Sequence, residues 1–176
     1  MEPALASLIQ RCRAGDRDAF DGVVDRYGLR VLRTARLIVR DEALAEDVCQ
    51  ETFLKAWRQI RTLRDEDPGP WINRIATNEA ISACRRRDRF QGLAERFAWF
   101  GNPRREVQSE EGLDLAGALG RLAPELRAVV VLRYFQDLSV EDTAKAVGAP
   151  VDTVKSRLKV ALRRLRILTG SDEVNE

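Results

Sequence analysis

Apolar residues recur every three or four positions along almost the whole chain, which is the period of an amphipathic α-helix. The clearest row predicts one long helix, whose buried face would carry Phe20, Val23, Val24, Tyr27, Val31, Leu32, Ala35 and Ile38. A shorter helix is expected before it, over residues 4–13, with its end near Gly15. Because the alternating period of a half-buried strand is hard to find, the sequence predicts an all-α protein.

A third helix is expected to begin after Asp41, whose side chain suits a helix N-cap, and to continue to about Leu63. Its buried side would carry Ala45, Val48, Thr52, Ala56 and Ile60. The following segment, RDEDPGP, predicts a loop, since its prolines and glycine do not continue a helix. Pro70 is well placed as the first residue of a fourth helix that extends to about residue 89.

Residues 90–112 lose the helical period and contain three glycines and a proline, which indicates a flexible linker between two small helical domains. Beyond the linker, helices are expected over residues 113–122 and 124–135. Ser139, with Asp142 three residues later, resembles a capping box for a short helix. Gly148 and Pro150 would end that helix, and a last helix is expected to end near Gly170.

Composition excludes several classes of protein. Thirty basic residues against 28 acidic ones give a net charge of +2, and 44% of the chain is hydrophobic. No apolar run is long enough to span a membrane and no secretory signal is apparent, so we expect a soluble, cytoplasmic protein. The chain has no histidine, and its three cysteines form no CxxC pair, so we expect reduced thiols and no metal site. Phosphate-binding and nucleophile motifs are also missing, so neither a cofactor nor catalysis is expected.

The C-terminal segment has the pattern of a helix-turn-helix: a capped short helix, a turn with Gly148 and an amphipathic last helix. Residues 150–168 carry six basic side chains and one acidic one, a local charge of +5. The basic face holds Lys155, Lys159 and Arg163, with Ser156 and Arg157 beside them. A basic run on a terminal helix is often only a solvated face. The turn and cap before it favour DNA binding instead.

The third helix is strongly acidic at its start, since residues 41–54 contain five acids and no base. Asp47, Gln50, Glu51 and Leu54 share one of its faces. Such a face attracts basic protein surfaces and repels DNA, which suggests a protein partner. The alternative is a solvated helix whose acids favour the N-terminal turn.

The fourth helix combines aromatic, amide and guanidinium groups. Trp71, Arg74 and Asn78 lie near its start, and Arg85, Arg86, Arg87 and Arg89 cluster further along. Single-stranded bases are bound by such a mixture, through stacking, edge hydrogen bonds and backbone neutralisation. The alternative is a core tryptophan followed by a solvated, arginine-rich helix end.

The order of these features resembles the extracytoplasmic-function (ECF) sigma factors, the smallest class of bacterial RNA polymerase specificity subunits. AEDVCQETFLKAW is similar to the family's core-polymerase-binding helix, and PWINRIATNEAIS to its promoter-melting segment. The stretch LRAVVVLRYFQDLSVEDTAKAVGAPVDTVKSRLKVALRRL is similar to its C-terminal domain. Two independent segments in the right order are more specific than a lone helix-turn-helix.

This resemblance implies a non-enzymatic initiation factor with region 2 at residues 1–89, a linker at 90–112 and region 4 at 113–176. It implies that Asp47, Gln50 and Glu51 dock on the β′ clamp helices of core RNA polymerase, while region 4 binds the β flap. An anti-sigma factor is a further implied partner.

The resemblance also implies where promoter DNA is bound. Trp71, Arg74 and Asn78 would bind the minus-ten element, while the loop at residues 63–70 would receive a flipped base. The minus-thirty-five element would be read by Lys155, Ser156 and Lys159, with Arg157 and Arg163 on phosphates. The acidity of the loop and the thiol of Cys49 depart from the family pattern.

Two other functions are left open by the residues alone. The chain could be a stand-alone DNA-binding regulator with an N-terminal dimerisation or sensor domain, which predicts tight duplex binding without polymerase and a palindromic site. It could also be an enzyme with a DNA-binding tail, for which no catalytic constellation is visible.

Overall fold

The computed structural model describes residues 5–63, 67–98 and 114–170, with the backbone alone for 92–98. Within this described part all regular secondary structure is helical. The helices are α1 (Leu5–Arg13), α2 (Arg17–Val39), α3 (Glu42–Gln59), α4 (Gly69–Ala98), α5 (Leu115–Arg121), α6 (Pro124–Val130), α7 (Val140–Val147) and α8 (Val151–Thr169). A 3₁₀ turn follows α3 at Ile60–Thr62, and a π-helical turn follows α6 at Val131–Phe135. The all-α prediction is confirmed.

Helices α1–α4 form the N-terminal domain. Two of its helices begin at aspartate caps: Asp16 accepts from the Ala19 N–H and Asp41 from the Leu44 N–H. The core between them is aliphatic and aromatic, with the Phe20 ring edge-on to Trp57 at 5.1 Å between centroids. All five residues predicted to form the buried side of α3 are buried.

Helices α5–α8 form the C-terminal domain, in which α7 and α8 make the predicted helix-turn-helix. Ser139 caps α7 by accepting from the Asp142 N–H at 2.9 Å, as its sequence position indicates. Gly148 ends α7 at φ +64°, a left-handed conformation that favours glycine. Val154, Leu158, Ala161, Leu165 and Leu168 of α8 pack into the domain core.

The helix limits differ from prediction at two places. Helix α4 begins at Gly69, one residue before Pro70, and continues to Ala98, so the first nine residues of the expected linker are helical. Gly92 therefore does not break the helix, and the rest of the expected linker, residues 99–112, lies outside the described residues. The predicted helix at 124–135 changes from α to π geometry at Val131, where the Gln136 N–H binds the Val131 carbonyl.

The two domains pack against each other through a shared apolar cluster. Ala128 and Val131 of the C-terminal domain lie among Ala35, Ile38 and Val39 of α2 and residues of α3 and α4. All five of these side chains are fully buried, so the two domains share a packed core at this interface. The structure is thus a closed arrangement of the two domains.

Candidate functional site

The acidic side of α3 forms a polar groove with α4. This groove has a volume of about 540 Å³, and Asp47, Gln50 and Glu51 line it together. Asp47 and Gln50 are exposed, and Glu51 is half-buried. Lys55 lies at the far side, where its Nζ is 2.6 Å from Glu79 and 3.7 Å from Glu51. The three residues predicted to bind a protein partner therefore share one accessible surface.

An apolar groove lies on the other side of the same helix, between α2 and α3. It has a volume of about 640 Å³ and is lined by Phe20, Val24, Cys49, Phe53, Leu54 and Trp57 among others. Leu54 is 50% exposed although it is a large apolar residue. The sequence predicts Leu54 on the polar face of α3 but gives no sign of this groove, because Phe20 and Val24 in its lining come from a different helix. Together the two grooves give α3 a polar and an apolar contact surface side by side.

The start of α4 presents the residues predicted to bind single-stranded DNA. Arg74 and Asn78 are exposed one turn apart, whereas Trp71 is half-buried and packs against the domain core. Asn73, which lies between Trp71 and Arg74 in the sequence, is only 5% exposed. The described geometry therefore leaves Arg74 and Asn78 free to contact a ligand and gives Trp71 a partly structural position.

The loop before α4 is anchored at its end by Asp67. The Tyr27 hydroxyl donates to Asp67 Oδ1 at 3.0 Å, and the Gly69 N–H donates to the same oxygen at 2.8 Å. Burial, together with the hydrogen bond to Asp67 and its negative charge, raises the pKa of Tyr27 above its ordinary value. Tyr27 therefore remains a neutral hydrogen-bond donor and fixes the point where the loop joins α4. This anchor was not predicted, since 40 residues separate its two partners.

The basic face of α8 is accessible at most of its predicted positions. Lys155, Ser156, Lys159 and Arg163 are exposed, and Arg157 is half-buried. The Ser156 hydroxyl donates to the Asp152 carbonyl oxygen at 2.9 Å, so its proton is used within the helix. Four of the five predicted residues therefore form one open basic surface at the start and middle of α8.

Arg127 of α6 connects the two domains. It is 4% exposed, and its Nη1 donates to the Ile38 carbonyl oxygen at 2.7 Å, near the end of α2. Its Nη2 donates to the Leu122 carbonyl oxygen at 3.0 Å within its own domain. Burial lowers the pKa of Arg127 below its ordinary value. The guanidinium thus supplies a donor to a helix end that belongs to the other domain.

A charged pair lies beside this contact. Arg85 of α4 donates to Glu125 of α6, and Arg157 of α8 adds a second positive charge near the same carboxylate. Burial alone would raise the pKa of Glu125, but its backbone hydrogen bond and the two arginines hold that pKa below its ordinary value. Arg87 donates to the Val39 carbonyl oxygen at 2.9 Å. Arg85 and Arg87, two members of the arginine cluster predicted to bind DNA, therefore make contacts within the protein.

Helix α7 lies against the start of α4. A cleft of about 510 Å³ between them is lined by Asn73 and Pro70 on one side and by Asp142 and Lys145 on the other. Arg74 Nη2 lies 3.8 Å from the position that a Cβ atom would take at Gly148. The closed arrangement consequently places the turn of the helix-turn-helix next to the residues predicted to bind the minus-ten element.

The cysteines have no disulfide partner. Cys12 and Cys84 are buried and Cys49 is half-buried. Burial is the main cause that raises the pKa of each thiol above its ordinary value, which favours the unreactive protonated form. Among residues 5–63, 67–98 and 114–170, no helix is long and apolar enough to cross a membrane.

Two family models match the chain in the order of its domains. The model for Sigma-70 region 2 matches residues 23–90, and the model for Sigma-70, region 4 matches residues 113–165. The first match covers most of the N-terminal domain with its α3 and α4 surfaces. The second covers the C-terminal domain with the helix-turn-helix.

Relatives and solved structures agree with these matches. The chain is 35% identical over 170 residues to the ECF RNA polymerase sigma factor SigM of Mycobacterium tuberculosis, covering 96% of this chain and 86% of SigM. It is 34% identical over 162 residues to SigE of Mycolicibacterium smegmatis, covering 86% of this chain but only 63% of SigE.

The fold resembles CnrH in complex with the cytosolic domain of CnrY, with a TM-score of 0.68, 26% identity and coverage of 97% of this chain and 100% of CnrH. It also resembles RpoE in complex with the anti-sigma factor NepR from Bartonella quintana, with a TM-score of 0.65, 25% identity and coverage of 88% and 98%. The chain therefore belongs to the ECF sigma factors of RNA polymerase.

Proposed function

We propose that this protein is a non-enzymatic initiation factor that joins core RNA polymerase through α3 and brings it to promoters with two separated elements. The observation that carries the proposal is the division of surfaces in one chain. An acidic and apolar protein-binding surface lies on the N-terminal domain, and an open basic helix lies on the C-terminal one. Its action is then expected in the cytoplasm, together with the polymerase.

Core polymerase would bind the polar groove of α3. Asp47, Gln50 and Glu51 offer two carboxylates and an amide to a basic partner, which fits the β′ clamp helices that sigma factors use. The neighbouring Leu54 supplies an exposed apolar anchor at the edge of the same surface. The C-terminal domain would contact the β flap.

Promoter DNA would be bound at two places. Arg74 and Asn78, with Trp71 behind them, would hold the opened minus-ten element, and the anchored loop before α4 would receive an unstacked base. Lys155, Ser156 and Lys159 would face the minus-thirty-five element in the major groove, with Arg157 and Arg163 on its phosphates.

Promoter binding would require the closed arrangement to open. Helix α7 lies beside Asn73 and Arg74, so the C-terminal domain stands next to the surface that must hold the minus-ten strand. Arg157 is half-buried near Glu125 and would have to leave this carboxylate to reach a phosphate. Polymerase would then hold the separated domains at the spacing of the two elements, which makes two modest contacts strong together.

We further propose that an anti-sigma factor holds the protein inactive. Two of the solved structures with similar folds, CnrH and RpoE, were determined in complex with a second protein, and NepR is named as an anti-sigma factor. The closed arrangement supports the same type of control here, because a partner that binds both domains favours it over the open one.

Co-purification with core polymerase tests the proposal. The full chain is expected to co-elute with purified core enzyme, and Asp47→Lys is expected to abolish this because it reverses a charge within the polar groove. Asp25→Lys, at an exposed aspartate of α2 outside that groove, is the matched control and should bind normally. Tight binding to palindromic duplex DNA without any binding to polymerase would contradict the proposal and support a stand-alone regulator.

A further inference from the structure

The face of α2 that points away from α3 carries a row of arginines. Residues 26–40 contain five arginines and no acidic residue. Four of these line an open groove of about 710 Å³, here named the arginine groove, whose lining consists of Arg26, Leu29, Arg30, Arg33, Arg36, Leu37, Phe135 and Gln136. The proposed polymerase and promoter contacts use none of these residues.

The arginine groove is built from both domains. Six of its residues belong to α2, whereas Phe135 and Gln136 come from the π-helical turn of the C-terminal domain. Arg30 Nε donates to Gln136 Oε1 at 3.0 Å and fixes the two walls relative to each other. The groove therefore has its present shape only while the domains are closed.

The groove is apolar as well as basic. Leu29 is 59% exposed and Phe135 is 46% exposed, which is unusual for large apolar side chains. No carboxylate lines the groove among the described residues, and Arg36 is paired with Glu42 just outside it. The surface consequently combines a surplus of positive charge with two apolar contact points.

We propose that the arginine groove binds an acidic amphipathic helix of a partner protein. The arginines span the eleven positions of α2 from Arg26 to Arg36, roughly 16 Å or three helical turns. A helix of three to four turns would match this length, with carboxylates facing the arginines and apolar side chains on Leu29 and Phe135. DNA would satisfy the charges but would leave both apolar side chains without a partner.

Occupation of the groove would favour the closed arrangement. A ligand shifts an equilibrium by its difference in affinity for the two states, and the separated domains have no complete groove. This inference rests on the proposed function, because it assigns a binding surface to the inhibitor of a sigma factor. It predicts that the inhibitor contacts residues of α2 that line no part of the polar groove of α3.

The test uses the full chain and a labelled helical peptide of 16 residues with capped ends. One face of the peptide helix carries a stripe of leucine and phenylalanine, and glutamates lie on both sides of this stripe. Fluorescence anisotropy is expected to detect binding that weakens at least tenfold in Arg33→Glu and in Leu29→Asp. Arg58→Glu, at an exposed arginine of α3 outside the groove, is the matched control and should bind normally. A peptide of the same composition without the stripes should bind at least tenfold more weakly.

Three results would overturn the inference. They are no binding of the striped peptide, equal binding of the peptide without stripes, and equal binding by Leu29→Asp. If Arg33→Glu instead weakens binding to random-sequence duplex DNA by the same factor, the groove is a nucleic-acid surface. Circular dichroism checks that both variants fold. Because the arginine groove shares no lining residue with the polar groove of α3, these variants should still co-purify with core polymerase, so failure here is distinguishable from failure of the proposed function.

Discussion

Arg127 Nη1 donates to the backbone carbonyl oxygen of Ile38 at 2.7 Å, across the boundary between the two domains. The Ile38 carbonyl is one of the last four of α2, which have no partner within their own helix. Burial lowers the pKa of Arg127, and its Nε lacks a hydrogen-bond partner. Much of the gain from these bonds is therefore offset by the cost of burying the charge. A contact of this kind holds the domains together without locking them.

Removal of the Arg127 side chain should open the closed arrangement. Arg127→Ala removes the guanidinium donor from the Ile38 and Leu122 carbonyls, which costs about 1–3 kcal/mol. Small-angle X-ray scattering should show a radius of gyration near that of a compact protein of this length, about 16 Å, for the wild type and a larger one for the variant. Arg121→Ala, at an exposed arginine of α5, is the matched control and should keep the wild-type radius. An unchanged radius in a folded Arg127→Ala protein would contradict the role given to this contact.

The ion pair between Arg85 and Glu125 should make the closed arrangement sensitive to charge. Arg85→Glu places two carboxylates together and should increase the radius of gyration, while the double variant Arg85→Glu/Glu125→Arg should restore it. The pair is partly exposed, so its contribution is expected to be about 0.5 kcal/mol and to fall with added salt. If the double variant stays as open as the single one, the pair does not act between the domains.

The same pair gives a pH dependence whose sign follows from Glu125. Its pKa is lower in the folded protein than in the unfolded one. Its contribution to stability is therefore complete above the unfolded pKa and is lost as the pH falls through the lowered pKa. Free energies of unfolding measured by denaturant should fall on acidification by more in the wild type than in Glu125→Gln. Equal pH dependence in both proteins would show that Glu125 makes no such contribution.

Tyr27→Phe should lower the fraction of opened promoter without weakening polymerase binding. The variant removes the hydroxyl that holds Asp67 at the end of the loop, a loss of about 1 kcal/mol or roughly fivefold in the opened fraction. Fluorescence of 2-aminopurine within the minus-ten element measures this fraction. Tyr134→Phe is the matched control, because Tyr134 is 56% exposed and lies in the other domain. Equal melting by the two variants would remove the proposed role of the anchor.

Lys159 and Arg163 should differ in how they affect DNA binding. Arg163→Ala is expected to weaken binding to all upstream sequences and to lower the slope of log affinity against log salt by about 0.9. Lys159→Ala should cost about 1–3 kcal/mol at one base position and relax specificity there. Salt titrations of the polymerase complex on variant promoters separate the two effects. Arg166→Ala, further along the same helix, is the control and should change neither the salt slope nor the base specificity. If Lys159→Ala weakens binding equally at all promoter variants, Lys159 does not read bases.

Local features of the fold could be predicted from the sequence because their causes are local. Asp41 and Ser139 cap the helices that follow them, as their positions before apolar periods indicate. The end of α4 was placed too early, since Gly92 weakens a helix without breaking it. The π-helical turn after Val130 leaves no sequence signal that periodicity detects.

Long-range relations could not be predicted in the same way. Arg127 has the pattern of an ordinary arginine on a short helix, and only the packing of α6 on α2 makes it a buried donor. The pairing of Tyr27 with Asp67 and of Arg85 with Glu125 likewise depends on helix packing rather than on sequence spacing. Surface residues on one helix, such as Lys155 and Lys159, were placed correctly because one helical period sets their arrangement.

Promoter-dependent transcription tests the central claim most directly. Purified core polymerase would transcribe a randomised promoter library with and without the protein, and the 5′ ends of the transcripts would be sequenced. We expect transcripts that depend on the protein and whose templates share two sequence elements at a constant spacing. Transcripts that are the same with and without the protein, or templates that share no pair of elements, would contradict it.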